Sequence, residues 1–262
     1  MDQIKWKRVH GALFQYARQS HISKRRCSEV MRTLPQLVGL CGGNTQNRKT
    51  VCALGRALLQ KHPRLFATAC PDYFHKNGRY TYDGLGDGVP LLLKLHRDFL
   101  AKVCQLVPNI EVTFLIADHE ADFAPLCASV GLDRYEFLKR VERSVVASSQ
   151  ALQRRGWKVS TFTDHVPGYM ADVNTLTQQL LSDPFLSGRL TAETFARSRF
   201  YRKARYPLDV WRTRTAQIAA QYLVLAGYCT SRKIIICNHT TISLAWFQRA
   251  RVAFLENPIK IH

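Results

Sequence analysis

Two hydrophobic rhythms alternate along the chain. Short apolar runs bounded by turn-forming residues occupy 64–70, 110–117, 157–163 and 233–239, and each predicts a strand. A shorter run at 252–255 predicts an edge strand. Residues 35–44, Pro-Gln-Leu-Val-Gly-Leu-Cys-Gly-Gly-Asn, read as a further buried strand that runs into a glycine turn. Between these runs, apolar residues recur every three or four positions, which predicts helices over 46–61, 90–107, 134–155, 168–182, 191–204 and 208–228. A basic helix or arm covers roughly 3–34 and is expected to end before Pro35. Residues 72–88 are polar and glycine-rich, the pattern of a loop or short hairpin. Strands alternating with helices predict one α/β domain over 1–262, with a doubly wound, mostly parallel sheet.

Composition adds a partner class. Among 262 residues, 38 Lys and Arg face 19 Asp and Glu, a formal charge of +19. Such an excess predicts a polyanion, either nucleic acid or an acidic membrane surface. No apolar run reaches the roughly 18–20 residues that span a bilayer. The longest, 219–229, is interrupted by Gln221 and Tyr222. The N-terminal stretch has no apolar signal core, so a cytoplasmic protein without membrane association is expected. Eight cysteines stand without any C-x-x-C spacing, mostly within apolar stretches, as free thiols in a reducing compartment do.

Open α/β sheets bind ligands at the carboxyl ends of their strands, where strand-to-helix turns present backbone N–H groups. Leu37-Val38-Gly39-Leu40-Cys41-Gly42-Gly43-Asn44 has the form of such a turn. There Gly39, Gly42 and Gly43 would admit a substrate backbone. Cys41, under a following helix N-terminus, would be a nucleophile of lowered pKa. The same residues also suit a small buried thiol beside a turn. Neither a dinucleotide fingerprint nor a phosphate-binding loop is present, which disfavours a nucleotide-using transferase. Asn238 and His239 are expected at the same rim, with His239 as an acid/base candidate. Tyr222 stands one helical turn before Ala226.

Charge is unevenly spread. Residues 132–158 hold seven cations against three acids, including Lys139, Arg140, Arg143, Arg154 and Arg155. Residues 197–214 hold seven cations against Asp209 alone, and Phe200, Tyr201 and Tyr206 interleave Arg199, Arg202, Lys203 and Arg205. Cations neutralise phosphates and aromatic rings stack on unpaired bases, so both segments are expected to face RNA. The few acids include Asp72, Asp118 and Glu120 at or just past strand ends. Asp118-His119-Glu120 lacks a second His at ligand spacing, so no metal is expected. A cationic group of a substrate suits these carboxylates better.

These segments together resemble the tRNA-dependent cyclodipeptide synthases, whose fold resembles the catalytic domain of class I aminoacyl-tRNA synthetases. The family's apolar-Gly-apolar-Ser-x-Gly-Asn frame corresponds to Val38-Gly39-Leu40-Cys41-Gly42-Gly43-Asn44, placing Cys41 on the nucleophilic serine. The family's Tyr and Glu, four residues apart, correspond to Tyr222 and Ala226, so the glutamate is lost. Asn238-His239 corresponds to a strand end that in the family carries Tyr before His or Pro. Residues 134–155 correspond to the tRNA-binding helix, and 71–108 look like an insertion. The resemblance implies aminoacyl-tRNA as an activated substrate, an aminoacyl-enzyme on Cys41, and a cyclodipeptide product without added cofactor. It implies no protein partner. Asp72, Asp118 or Glu120 would replace the missing glutamate or recognise a cationic side chain such as that of arginine. Transfer to a non-tRNA acceptor, giving a linear amide, and a non-catalytic RNA-binding module are the alternatives.

Overall fold

A computed structural model describes residues 5–42, 47–69, 74–76, 79–81, 89–116, 118, 131–200, 207–238 and 252–256. Of these, 69, 74–76, 79–81, 89–96, 195–200, 238 and 256 are described by their backbone alone. Five strands form one sheet: β1 (Arg64–Ala69), β4 (Glu111–Ile116), β5 (Lys158–Thr161), β6 (Ile235–Asn238) and β7 (Ala253–Glu256), in the order β5-β4-β1-β6-β7. The sheet is parallel, as the doubly wound expectation requires. Leu65 registers with Ile235 and Ala67 with Cys237, while Asn238 registers with Glu256 at the edge. The stretch expected to be a loop or hairpin does contain an antiparallel pair, β2 (Phe74–Lys76) and β3 (Arg79–Thr81).

The chain divides into two compact units. The first comprises Met1–Thr68, Leu93–Thr113 and Ala226–Lys260, and the second Ala69–Leu92, Phe114–Leu225 and Ile261–His262. In the first, α1 (Trp6–Gln19) turns Val9, Leu13 and Ala17 inward. The expected single helix to residue 34 is instead two helices. His21 adopts a left-handed φ of 54°, the Ile22 N–H bonds the Ala17 carbonyl, and Ser23 caps the next helix by accepting from the Arg26 N–H at 3.2 Å.

That next helix, α2 (Lys24–Gly39), overturns the strand expected over 35–44. Cys27, Val30, Leu34, Leu37 and Val38 form one buried stripe with helical spacing. Pro35 lies inside α2, where its missing N–H costs a ladder bond. Burial of the stripe against α3 (Arg48–Leu58) outweighs that loss, since each fully buried Leu or Val contributes about 1.5–3 kcal/mol. The fit is close: a Cβ on Gly55 of α3 would lie 2.7 Å from Leu13 Cδ1.

After α4 (Val89–Leu106), which lies mostly in the first unit, the second unit continues with α5 (Arg134–Gln153), which starts where Asp133 accepts from the Glu136 N–H at 2.9 Å. It buries Phe137, Val141, Ser144, Ser148 and Leu152. Gly156 supplies the positive φ of 79° that lets the Trp157 N–H bond the Leu152 carbonyl and turns the chain into β5. Trp157 meets Phe114 of β4 edge-on at 5.4 Å. The strand expected to reach Thr163 stops earlier: Thr161 caps the short α6 (Phe162–His165). Then come α7 (Tyr169–Ser182), α8 (Ser187–Phe200) and α9 (Leu208–Arg232), which extends four residues past its expected end.

Candidate active site

Cys41 lies two residues beyond the end of α2, and its own N–H bonds the Val38 carbonyl at 3.1 Å. Its thiol donates to the Leu37 carbonyl at 3.2 Å, and the residue is 7% exposed. The placement corrects the expected strand-to-helix turn. Cys41 follows a helix C-terminus, whose partial negative charge disfavours an anion. The next helix, α3, begins at Arg48 after an Asn47 cap. Gly39 closes α2 and Gly42 is half-buried beside Cys41.

Cys237, fully buried on β6 immediately before Asn238, stands close enough to Cys41 that charge on one opposes charge on the other. Burial first, and Cys41 second, push the Cys237 thiol up from its ordinary range. The Cys237 carbonyl accepts from Thr68 Oγ1 at 3.2 Å, tying the carboxyl ends of β1 and β6 together. The interaction of Cys41 with Cys237 links segments almost two hundred residues apart in sequence. Cys237 and Thr68 were not singled out in the sequence. The one available signal was Cys237's place, one residue before a polar strand end.

The other described candidates belong to the second unit. Asp118, just past β4, accepts from the Thr163 backbone N–H at 3.4 Å and from the Thr163 hydroxyl. Those bonds fix its carboxylate, while an ionised carboxylate offers about four lone-pair sites. Tyr222 is half-buried on α9, and Ala226 one turn later is completely buried. A glutamate at that position would have to bury its charge, which is costly without a partner.

On α5, Lys139 lies over the Tyr135 ring at 4.3 Å, and Tyr135 is 68% exposed. Arg140 pairs with Glu136 at 3.0 Å, and Arg143, Arg154 and Arg155 are exposed. Gly43, Asn44, Asp72, Glu120, His239, Arg202, Lys203 and Arg205 lie outside the described residues, as do the side chains of Arg199 and Asn238. Among the described residues no three His, Cys, Asp or Glu side chains gather as a metal site, and no helix is long and apolar enough to cross a membrane.

No family model and no curated protein matches the sequence. Two solved structures are similar in fold. One is a CDPS from Staphylococcus haemolyticus, 10% identical with a TM-score of 0.49, covering 82% of this chain and 97% of that one. The other is a cyclodipeptide synthase from Bacillus thermoamylovorans, 11% identical with a TM-score of 0.48, covering 80% and 89%. With about one position in ten identical, neither likeness assigns a role to a side chain.

Proposed function

We propose that this protein forms a peptide bond between aminoacyl groups delivered by tRNA, with Cys41 as the acyl acceptor and a cyclodipeptide as product. The observation that supports the reading is the electrostatic interaction of Cys41 with Cys237, at the end of β6. The resemblance pairs those two motifs in one site, and they are otherwise remote in sequence. The net charge of +19 and the exposed cations of α5 supply the attraction for a polyanionic carrier.

The chemistry follows from a thiol and an activated ester. The Cys41 sulfur attacks the aminoacyl carbonyl and its proton passes to a base, for which His239 is the candidate. The tRNA 3′-oxygen leaves and takes a proton, and a thioester forms. The amine of a second aminoacyl group attacks the thioester and restores the thiol. Attack of the first amine on the remaining ester then closes the ring and releases the second tRNA. The ester supplies the driving force throughout. In this scheme Asn44 and Asn238 hydrogen-bond the substrate. The Leu37 carbonyl must release Cys41 first, and a thiol is a weak donor.

A second reading is a non-catalytic RNA-binding module, favoured by the burial of Cys41 and its position after a helix C-terminus. Incubation of the protein with bulk charged tRNA, followed by product mass spectrometry, separates the two. The proposal expects a mass equal to two aminoacyl residues joined in a ring, lost in Cys41→Ala. A linear amide would keep the transfer step and remove the cyclisation. Retention of tRNA without any new amide would establish the binding module.

A further inference from the structure

The opposite, amino end of the same strands carries a cluster of different chemistry. Arg64 opens β1, and Arg232 ends α9 just before β6. Lys233 follows, and its ammonium donates to the Tyr16 hydroxyl of α1 at 2.5 Å. The Arg56 guanidinium of α3 lies 5.4 Å from the same Tyr16 ring, and Arg232 lies 3.9 Å from the Tyr228 ring. Tyr228 stacks in turn on Phe66 of β1. Because β1 and β6 pair in parallel with Leu65 opposite Ile235, Arg64 and Arg232 come to the same end of the sheet. All these residues belong to the first unit.

Three features separate this cluster from an ordinary solvated surface. The segments that build it, 5–28, 47–64 and 226–238, contain no Asp or Glu. Arg56, Arg64, Arg232 and Lys233 are exposed, and none has a carboxylate partner among the described residues, although five other arginines there do. Lys233 also adopts a left-handed φ of 54° at the helix stop, where the Ile234 N–H bonds the Cys229 carbonyl. Glycine normally fills that position because a side chain there is strained. Cations suit the negative end of a helix, which would account for Arg232 and Lys233. The same holds for Arg56 in the last turn of α3, but not for Arg64, which opens β1.

We infer that Arg56, Arg64, Arg232 and Lys233 form a second RNA-binding platform, which grips phosphates of the tRNA body at the sheet edge opposite the candidate active site. Guanidinium groups bind phosphate oxygens in a fork geometry, and the half-buried rings of Tyr16 and Tyr228, beneath Arg56, Lys233 and Arg232, can take a base or ribose. Cation spacing across three elements fits an extended backbone better than one small anion. Tyr16 is consistent with this field. Partial burial raises its phenol, yet hydrogen bonds from Lys233, Ser20 and Gln60 and the charge of Lys233 bring it below its ordinary value. The platform needs RNA but no acyl transfer, so it stands even if Cys41 is inert.

The test is binding of deacylated bulk tRNA to the full chain across a salt series. Arg56→Glu, Arg64→Glu and Arg232→Glu combined should weaken binding at least tenfold. The slope of log affinity against log salt should fall by about 2 to 3, one unit for each phosphate that is no longer neutralised. Lys233→Gly should raise the urea midpoint, by relieving the left-handed strain, while still weakening tRNA binding. Those opposite signs exclude misfolding as the cause. Unchanged affinity and slope in both variants would overturn the inference. So would variants that lose binding only to phosphatidylserine vesicles and keep it for tRNA. Amide formation by the triple variant at saturating charged tRNA should persist, so failure here is distinguishable from failure of the catalytic reading.

Discussion

The two ends of β1 and β6 are chemically opposite. At the carboxyl end, Cys41, Cys237 and Thr68 are neutral, buried and hydrogen-bonded to backbone carbonyls or tied to one another. At the amino end, Arg56, Arg64, Arg232 and Lys233 are exposed, and all but Arg64 lie over tyrosine rings. Two strands running in parallel deliver both, because a parallel pair gathers all its carboxyl ends at one edge and all its amino ends at the other. The contrast fits the proposed division of labour. Long-range attraction of a polyanion needs unpaired cations in water, whereas a thioester needs a site from which water is excluded.

Charge should therefore be tolerated at one end and not at the other. Cys237→Asp would place a carboxylate where the native residue is fully buried, and should cost about 3 kcal/mol or more in urea denaturation. Lys233→Asp at the amino end should change stability by no more than about 0.5 kcal/mol. Equal costs would erase the contrast.

Alkaline titration sharpens it with opposite signs. Burial raises the Cys229 and Cys237 thiols above the ordinary 9.0. Unfolded thiols lose their protons first, so this stability is complete below pH 9 and is lost as pH rises further. The limit is about 1.4 kcal/mol per pH unit for each thiol. Tyr16 is lowered from 10.0, so the folded state ionises first, and its contribution is present above pH 10 and lost as pH falls through the folded value. Cys237→Ala should flatten the alkaline loss seen by circular dichroism, and Tyr16→Phe should steepen it.

Smaller effects come from single hydrogen bonds at neutral pH. Thr68→Val removes the bond to the Cys237 carbonyl inside the core and should cost about 1 kcal/mol. Tyr16→Phe removes a bond made at the surface and should stay within about 0.5 kcal/mol by the same urea measurement.

The sheet strands were legible in the sequence because their apolar runs are short and bounded. Residues 110–117 contain β4, and 252–255 overlap the edge strand β7. The misreading of 35–44 has a definite cause. Pro35 and Gly39 look like helix breakers, and Leu-Val-Gly-Leu-Cys is too short a run for its period to be read. The stripe from Cys27 to Val38 decides the matter, but it appears only when 24–39 is taken as one element capped by Ser23. Reading Cys41 as a nucleophile needed no strand, since its nearness to Cys237 survives the change from strand to helix. The amino-end cluster was not legible. Its members come from four separate elements, and Lys233 and Tyr16 are 217 positions apart.

The decisive experiment asks whether one sulfur carries the acyl group. The protein is mixed with tRNA charged with radiolabelled amino acids, quenched in acid, digested, and its peptides are mass-analysed. An increment of one aminoacyl residue on the peptide containing Cys41, released by neutral hydroxylamine and absent in Cys41→Ala, is the predicted result. Undiminished amide formation by Cys41→Ala, or retained tRNA with no labelled peptide, would contradict it.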